Sequence, residues 1–233
     1  MAEDNHAIAV LFDLEDTLIQ TPWSDFQRVL EFRRKTREKL IELGTPSSLL
    51  EGIERATLMR NKAYEYVEKN FSKAEAQKFH RALGKFFSQY ELDSAKKSKL
   101  FTETILTLEE LRKLGAKIGL VTNTSMKAVE TVFRLHGLEE YFDVVVTREN
   151  VKKLKPDPEG ILLAVKTLGV EDFFMVGDLV FDVLAAKSAD GKSVFVRRSP
   201  QETSDPPADY VVQSLSEIPK IVQAERRKSD AHR

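Results

Sequence analysis

The sequence predicts an α/β protein: a doubly wound parallel sheet with an α-helical subdomain inserted after its first strand. Three observations carry that prediction. Short, continuously apolar runs recur along the chain, and each ends in polar residues. Helical patterns that stop at glycine lie between most of them. Residues 22–95 carry helical pattern alone, with no strand candidate.

The first strand is residues 7–12, AIAVLF, which ends at Asp13. A run apolar on both faces suits a central strand covered by helices on each side. Residues 45–46, Thr-Pro, open a helix that carries Leu49, Ile53 and Ala56. Ser72 followed by Glu75 is a capping box. Behind it Phe79, Leu83, Phe86, Phe87 and Tyr90 share one helical face. The basic run RRKTREK at 33–39 interrupts the apolar face of its helix and reads as solvated, and Trp23 reads as core packing.

The alternation resumes with a helix over 104–114, whose face is Ile105, Leu108 and Leu111 and whose stop is Gly115. The next strand is 117–121 (KIGLV), and a helix over 125–136 ends at Gly137. A strand at 142–146 (FDVVV) leads to a helix over 158–168. Asp157 is that helix's N-cap, Pro158 its first residue and Gly169 its stop. Strands at 173–176 (FFMV) and 193–196 (SVFV) follow, with 210–212 as a short edge strand. Repeated strand–helix–glycine units read as right-handed crossovers within one sheet. A flat crossover is the alternative to an inserted subdomain. The segment runs to roughly seventy residues, where a crossover needs about a dozen. The expected division is therefore 1–21 with 96–233 as the α/β core, and 22–95 as the helical insertion.

Composition narrows the function. The 233 residues suffice for a sizeable core, and 42% are apolar. Lys and Arg number 36 against 37 Asp and Glu, which gives no reason to expect nucleic acid or an anionic membrane as partner. There are no cysteines, so disulfides, thiolate zinc sites and a cysteine nucleophile are excluded. The acidic N-terminus MAEDNHAIAV lacks the basic region of a secretory signal, and no apolar run reaches the ~20 residues of a membrane span. The expected location is cytoplasmic. Nothing in the sequence selects between a monomer and a homodimer.

Four short stretches carry chemistry, and each lies where a strand ends, the ligand side of an open α/β sheet. In FDLEDTL, Asp13 tips a buried strand, with Glu15, Asp16 and Thr17 close behind. In LVTNTS, Thr122 and Asn123 precede a helix start, where a hydroxyl, an amide and free N–H groups can receive an anion. In LKPDP, Lys155 is held extended before a proline. In VGDLVFD, Gly177 permits a tight strand exit, and Asp178 and Asp182 share a face if a helix starts there. Two carboxylates so spaced suggest a cation site suited to Mg²⁺. Each stretch alone has a bland alternative: an acidic turn, an N-cap, a surface lysine, a pair of surface aspartates.

In this order and spacing the four stretches resemble the haloacid dehalogenase superfamily of phosphohydrolases, in its phosphoglycolate phosphatase-like branch. That family has an Asp-initiated first motif, a Thr or Ser, a Lys, and a closing G-D-x-x-x-D. The matches are Asp13 with Thr17, Thr122, Lys155, and Gly177–Asp178 with Asp182, over residues 7–20 and 100–200. The helical insertion matches the family's cap.

The resemblance implies a Mg²⁺-dependent phosphatase acting on a small phosphate ester. Asp13 is then the nucleophile that forms an aspartyl-phosphate, and Glu15 the acid/base. Thr122, Asn123 and Lys155 bind the phosphate. Asp13, the main-chain carbonyl of Glu15 and Asp178 hold the metal, with Asp182 in support. Phosphoglycolate or a sugar phosphate is the implied substrate class.

The chain departs from the family at Glu15 and Asp16, where Asp and Gly are usual. Three consequences stand open: Glu15 serves as acid/base in an adjusted loop, which is favoured; Asp16 takes the role; or the protein is a slow or non-catalytic phosphate binder. The metal-independent 2-haloacid dehalogenase branch is disfavoured, because the closing carboxylates are kept. The phosphonatase branch needs a cap lysine for a Schiff base, and Lys62, Lys69 and Lys73 stand in the cap unmarked by context. Arg55, Arg60 and Asn61 could reach a substrate carboxylate, although each reads more simply as solvated surface. No pair among His6, His80, His136 and His232 has metal-ligand spacing.

Overall fold

The structure, a computed structural model, describes residues 7–22, 25–198 and 206–231. Trp23, His6 and His232 lie outside the described residues. In chain order, β1 (Ala9–Phe12) and β2 (Ile19–Gln20) are followed by three helices: α1 (Phe26–Glu42), α2 (Ala56–Asn70) and α3 (Lys73–Lys96). Then come β3 (Lys99–Leu100), α4 (Thr104–Lys113), β4 (Lys117–Val121), α5 (Met126–His136) and β5 (Val144–Val146). The chain closes with α6 (Glu159–Leu168), β6 (Phe173–Gly177), α7 (Val180–Ser188), β7 (Lys192–Val196), β8 (Tyr210–Val212) and α8 (Ile218–Ala231).

Six strands form one parallel sheet in the order β5-β4-β1-β6-β7-β8. Its two faces are covered by separate apolar clusters. Val10, Phe12, Ile118, Leu120 and Phe174 belong to one; Ala9, Leu11, Val121, Phe173 and Met175 belong to the other. Successive side chains of β1 thus alternate between two buried layers, which is why the strand reads as a continuous apolar run. The predicted doubly wound α/β core is present.

The helices α1–α3 have an apolar cluster of their own, built from Leu40, Leu50, Met59, Ala63, Val67, Phe79, Leu83 and Phe87. The Ser72–Glu75 capping box opens α3 as expected. A two-stranded antiparallel ladder of β2 and β3 joins the start and end of this helical segment to the sheet. Two-residue strands are too short for any periodicity to declare them.

Three expectations need correction. The helix opened by Thr45–Pro46 is only a 3₁₀ turn, Ser47–Leu50; Gly52, at φ 71, breaks it, and α2 begins at Ala56. The α6 helix begins at Glu159, not Pro158, with Asp157 Oδ1 still accepting from the Glu159 N–H at 3.1 Å. The run 33–39 is not uniformly solvated: Thr36 is buried, and Arg37 donates to the carbonyls of Leu50 and Ile53 at 2.6 Å each. Those bonds tie α1 to the irregular stretch after the 3₁₀ turn, adding a second donor to the Leu50 carbonyl, which also accepts from the Ile53 N–H at 3.2 Å. No helix among the described residues is long and apolar enough to cross a membrane.

Candidate active site

Because β1 lies between β4 and β6, the carboxyl ends of all three open at one place. Asp13 follows β1, Thr122 follows β4 and Asp178 follows β6. Lys155 arrives from the loop between β5 and α6, and Asp182 from the first turn of α7.

Lys155 is the hub. Its buried ammonium makes three bonds: to Asp13 Oδ1 at 2.7 Å, Asp182 Oδ1 at 2.6 Å and the Val121 carbonyl at 2.7 Å. That matches its three N–H donors. Burial disfavours the charged form, but the carboxylates of Asp13 and Asp182 outweigh it and hold the lysine above its ordinary value.

The carboxylates of Asp13, Asp178 and Asp182 lie within 4.8 Å of one another. Burial, then the neighbouring charges of Asp182, Asp13 and Asp16, drive the Asp178 carboxyl well above the usual range. Asp182, 2% exposed, is pushed by burial to about 6, with Lys155 pulling the other way. A single ammonium therefore leaves this cluster short of positive charge. A hard divalent cation suits it, since the available donors are carboxylate oxygens. The Thr17 hydroxyl orients Asp178 by donating to its Oδ1 at 3.1 Å.

Gly177, the last residue of β6, also serves a purpose beyond the strand exit expected of it. A Cβ there would lie 2.2 Å from the Asp182 carboxylate carbon, so the glycine makes the room Asp182 occupies. Asp16 takes the left-handed conformation, φ 54, that its place in the first motif requires, and its Oδ1 accepts from the Thr21 N–H at 2.9 Å. The loop thus tolerates Asp where the family has Gly.

Glu15 is half-buried at the cavity, and its Oε2 accepts from the Thr124 hydroxyl at 2.8 Å. Its carboxylate is not one of the clustered three. Thr122, 4% exposed, lines the same cavity. Asn123 also lines it, but its carboxamide is engaged: Oδ1 accepts from the Lys155 N–H at 3.0 Å, and Nδ2 donates to the Lys155 carbonyl at 3.3 Å. Asn123 thereby holds the lysine's backbone.

The cavity encloses about 280 Å³ and runs between the strand ends and the helical segment. Its helical side includes Phe32, Arg33, Arg55, Phe87 and Glu91. Among the described residues, Arg33 and Arg55 form no side-chain ion pair. Arg148, after β5, also lines it and is spent on a buried pair with Glu91 at 3.0 Å, while Glu91 accepts from the Ser125 N–H at 3.2 Å. Sequence reading missed this link between α3 and the β4 end. A signal existed: Glu91 continues the buried Phe79–Leu83–Phe87 row at i+4 spacing, where a charge needs a partner. Arg60 corrects the surface reading too. It is 6% exposed and donates to the Lys152 carbonyl, and burial lowers its guanidinium to about 10.

Carboxylates, a threonine and a lysine gathered at the ends of a parallel six-stranded sheet define a class, that of the haloacid dehalogenase-like hydrolases. The chain belongs to that family, whose model matches residues 10–196. It is 30% identical over 230 residues to a pyrophosphatase PpaX of Bacillus velezensis, covering 92% of this chain and 96% of that protein. It is also 30% identical over 226 residues to an N-acetylmuramic acid 6-phosphate phosphatase of Pseudomonas putida, covering 93% and 96%. Among solved structures, a HAD phosphatase from Thermococcus onnurineus aligns with a TM-score of 0.57 and 28% identity, over 92% of this chain and 97% of that one.

Proposed function

We propose that the chain is a Mg²⁺-dependent phosphoric monoester hydrolase that works through an aspartyl-phosphate on Asp13, with the helical segment of residues 22–95 as its cap. The observation that carries this reading is the convergence of Asp13, Asp178 and Asp182 within 4.8 Å, with the Lys155 ammonium bonded to Asp13 and Asp182. An anionic nucleophile and an anionic phosphate repel each other unless cations lie between them. Asp13, Asp178 and the Glu15 carbonyl, with Asp182 in support, would hold Mg²⁺, which would supply the second positive charge.

The residues divide the work. An Asp13 oxygen attacks phosphorus while the bond to the leaving oxygen breaks, and protonated Glu15 gives that oxygen its proton. Glu15, now a carboxylate, takes a proton from water as the water attacks phosphorus and releases Asp13. Thr122 and Lys155 stabilise the charge on the transferring group. Thr124 fixes the longer Glu15 side chain by its hydrogen bond. The acidic cluster favours this chemistry over metal-free dehalogenation, and the ordered Glu15 favours catalysis over mere phosphate binding.

The substrate is small and its leaving group carries a second negative charge. Two features support this: a cavity of about 280 Å³, and Arg33 and Arg55 facing it without carboxylate partners among the described residues. A phosphomonoester of a carboxylic acid fits, the class that the name of the Pseudomonas putida relative indicates, while the pyrophosphatase name points to a phosphoanhydride as a second reading of the same site.

The test is turnover of p-nitrophenyl phosphate, inorganic pyrophosphate and N-acetylmuramic acid 6-phosphate, each with Mg²⁺ and with EDTA, alongside Asp13→Asn. Metal-dependent turnover that vanishes in the variant is expected, with the doubly anionic substrates favoured. Full activity in EDTA, or in Asp13→Asn, would overturn the reading.

A further inference from the structure

Lys155 is supported from two sides, and only one of them belongs to the α/β core. Asn123 pairs with the N–H and the carbonyl of Lys155 itself. The residue before it is held the same way by the helical segment: Asn61, in α2, donates to the Leu154 carbonyl at 2.8 Å and accepts from the Leu154 N–H at 2.9 Å. Its neighbour Arg60 bonds the Lys152 carbonyl, and Glu65, one turn on, pairs with Lys153 at 2.9 Å. One face of α2 therefore grips the loop from Lys152 to Leu154.

We infer that Asn61 is a positioning residue: it makes the placement of the Lys155 ammonium depend on α2 being seated over the cavity. This rests on the reading of Lys155 as the charge-neutralising group. A carboxamide can satisfy a backbone donor and acceptor at once, which a carboxylate or a hydrocarbon cannot. When α2 lifts to admit substrate, Leu154 loses both Asn61 bonds. Its N–H is left without its partner and its carbonyl keeps only the Asp157 N–H at 3.1 Å, so the backbone that aims Lys155 at Asp13 and Asp182 loosens. When α2 returns, the same two bonds restore the ammonium to its three acceptors. The site thus completes its charge balance only with the cavity covered and water excluded. The other interactions on this face serve differently. The Glu65–Lys153 pair is solvent-exposed, 37% and 42%, and holds no catalytic backbone.

The experiment combines steady-state kinetics on p-nitrophenyl phosphate with amide hydrogen exchange at Leu154. Asn61→Ala is expected to lower kcat by about 10- to 100-fold, the scale of a misplacement near 1 Å. KM should move by less than about threefold, the signature of a group acting on the chemical step. Asn61→Asp keeps the acceptor and loses the donor, so its loss should be intermediate. Glu65→Ala should stay within about twofold of wild type. The Leu154 amide should be protected in wild type and exposed to exchange in Asn61→Ala.

Wild-type kcat in a folded Asn61→Ala, or an equal loss in Glu65→Ala, would overturn the inference. So would an unprotected Leu154 amide in the wild-type protein, whatever its activity. Absence of turnover in wild type, with Leu154 protected through Asn61, would instead count against the proposed function and leave the Asn61–Leu154 contact established.

Discussion

Glu15 stands where the family usually places an aspartate, and one extra methylene moves a carboxyl by more than the tolerance of a catalytic group. On the proposed mechanism Thr124 makes the longer side chain usable, since its hydroxyl donates to Oε2 at 2.8 Å. Removing the acid/base capacity while keeping the shape should then cost about 10²- to 10⁴-fold in kcat, the usual contribution of such a group. Glu15→Gln is the variant, and Glu15→Asp should retain or raise turnover. Near-normal kcat in Glu15→Gln would remove Glu15 from the mechanism. At this scale much was readable beforehand: Asp13, Thr122 and Asp178 announce themselves as polar residues where apolar runs end, Lys155 by the proline that follows it, and Asp182 by its spacing from Asp178. The roles of Asn123 and Asn61 were not, because a carboxamide bonded to a distant backbone leaves no local pattern. Arg37 and Arg60 read as surface for a similar reason. Their partners are carbonyls of irregular segments, and no sequence spacing predicts those.

Among the elements, β4 shows how closely strand and neighbours are matched. Gly119 faces a site where a Cβ would lie 2.5 Å from Leu11 Cδ2 and 2.9 Å from Val144 Cγ1. Gly119→Ala should therefore destabilise the fold by about 1–3 kcal/mol through overpacking of β1 and β5. Urea unfolding of the variant measures this, and an unchanged midpoint would show that the sheet relaxes at that position. The strands of the core were legible because burial on both faces makes each a continuous apolar run. Helix ends were legible where glycine takes a left-handed turn, as Gly137 and Gly169 do at φ 68 and 65. The 3₁₀ turn at Ser47–Leu50 was not, since its apolar spacing continues past Gly52 although its backbone does not.

For the whole molecule, the order β5-β4-β1-β6-β7-β8 brings together residues far apart in sequence: Asp13 and Lys155 are 142 positions apart and share a 2.7 Å bond. The strand–helix alternation foretold the crossovers, but the sheet order follows from packing that single segments do not record. The helical segment meets the core through the buried Glu91–Arg148 pair and through α2 at Lys152–Leu154, contacts that place it over the strand ends. The proposed activity rests on one bond, formed between Asp13 and phosphorus. The most direct measurement uses Glu15→Gln, in which the second, water-dependent step lacks its base while p-nitrophenolate still leaves readily. The protein is mixed with p-nitrophenyl phosphate labelled in its phosphate group, in Mg²⁺, and quenched in acid. Label bound to the chain at Asp13, released by hydroxylamine as an acyl phosphate should be, is the expected result. An unlabelled chain, while p-nitrophenol is still released, would contradict the proposed mechanism.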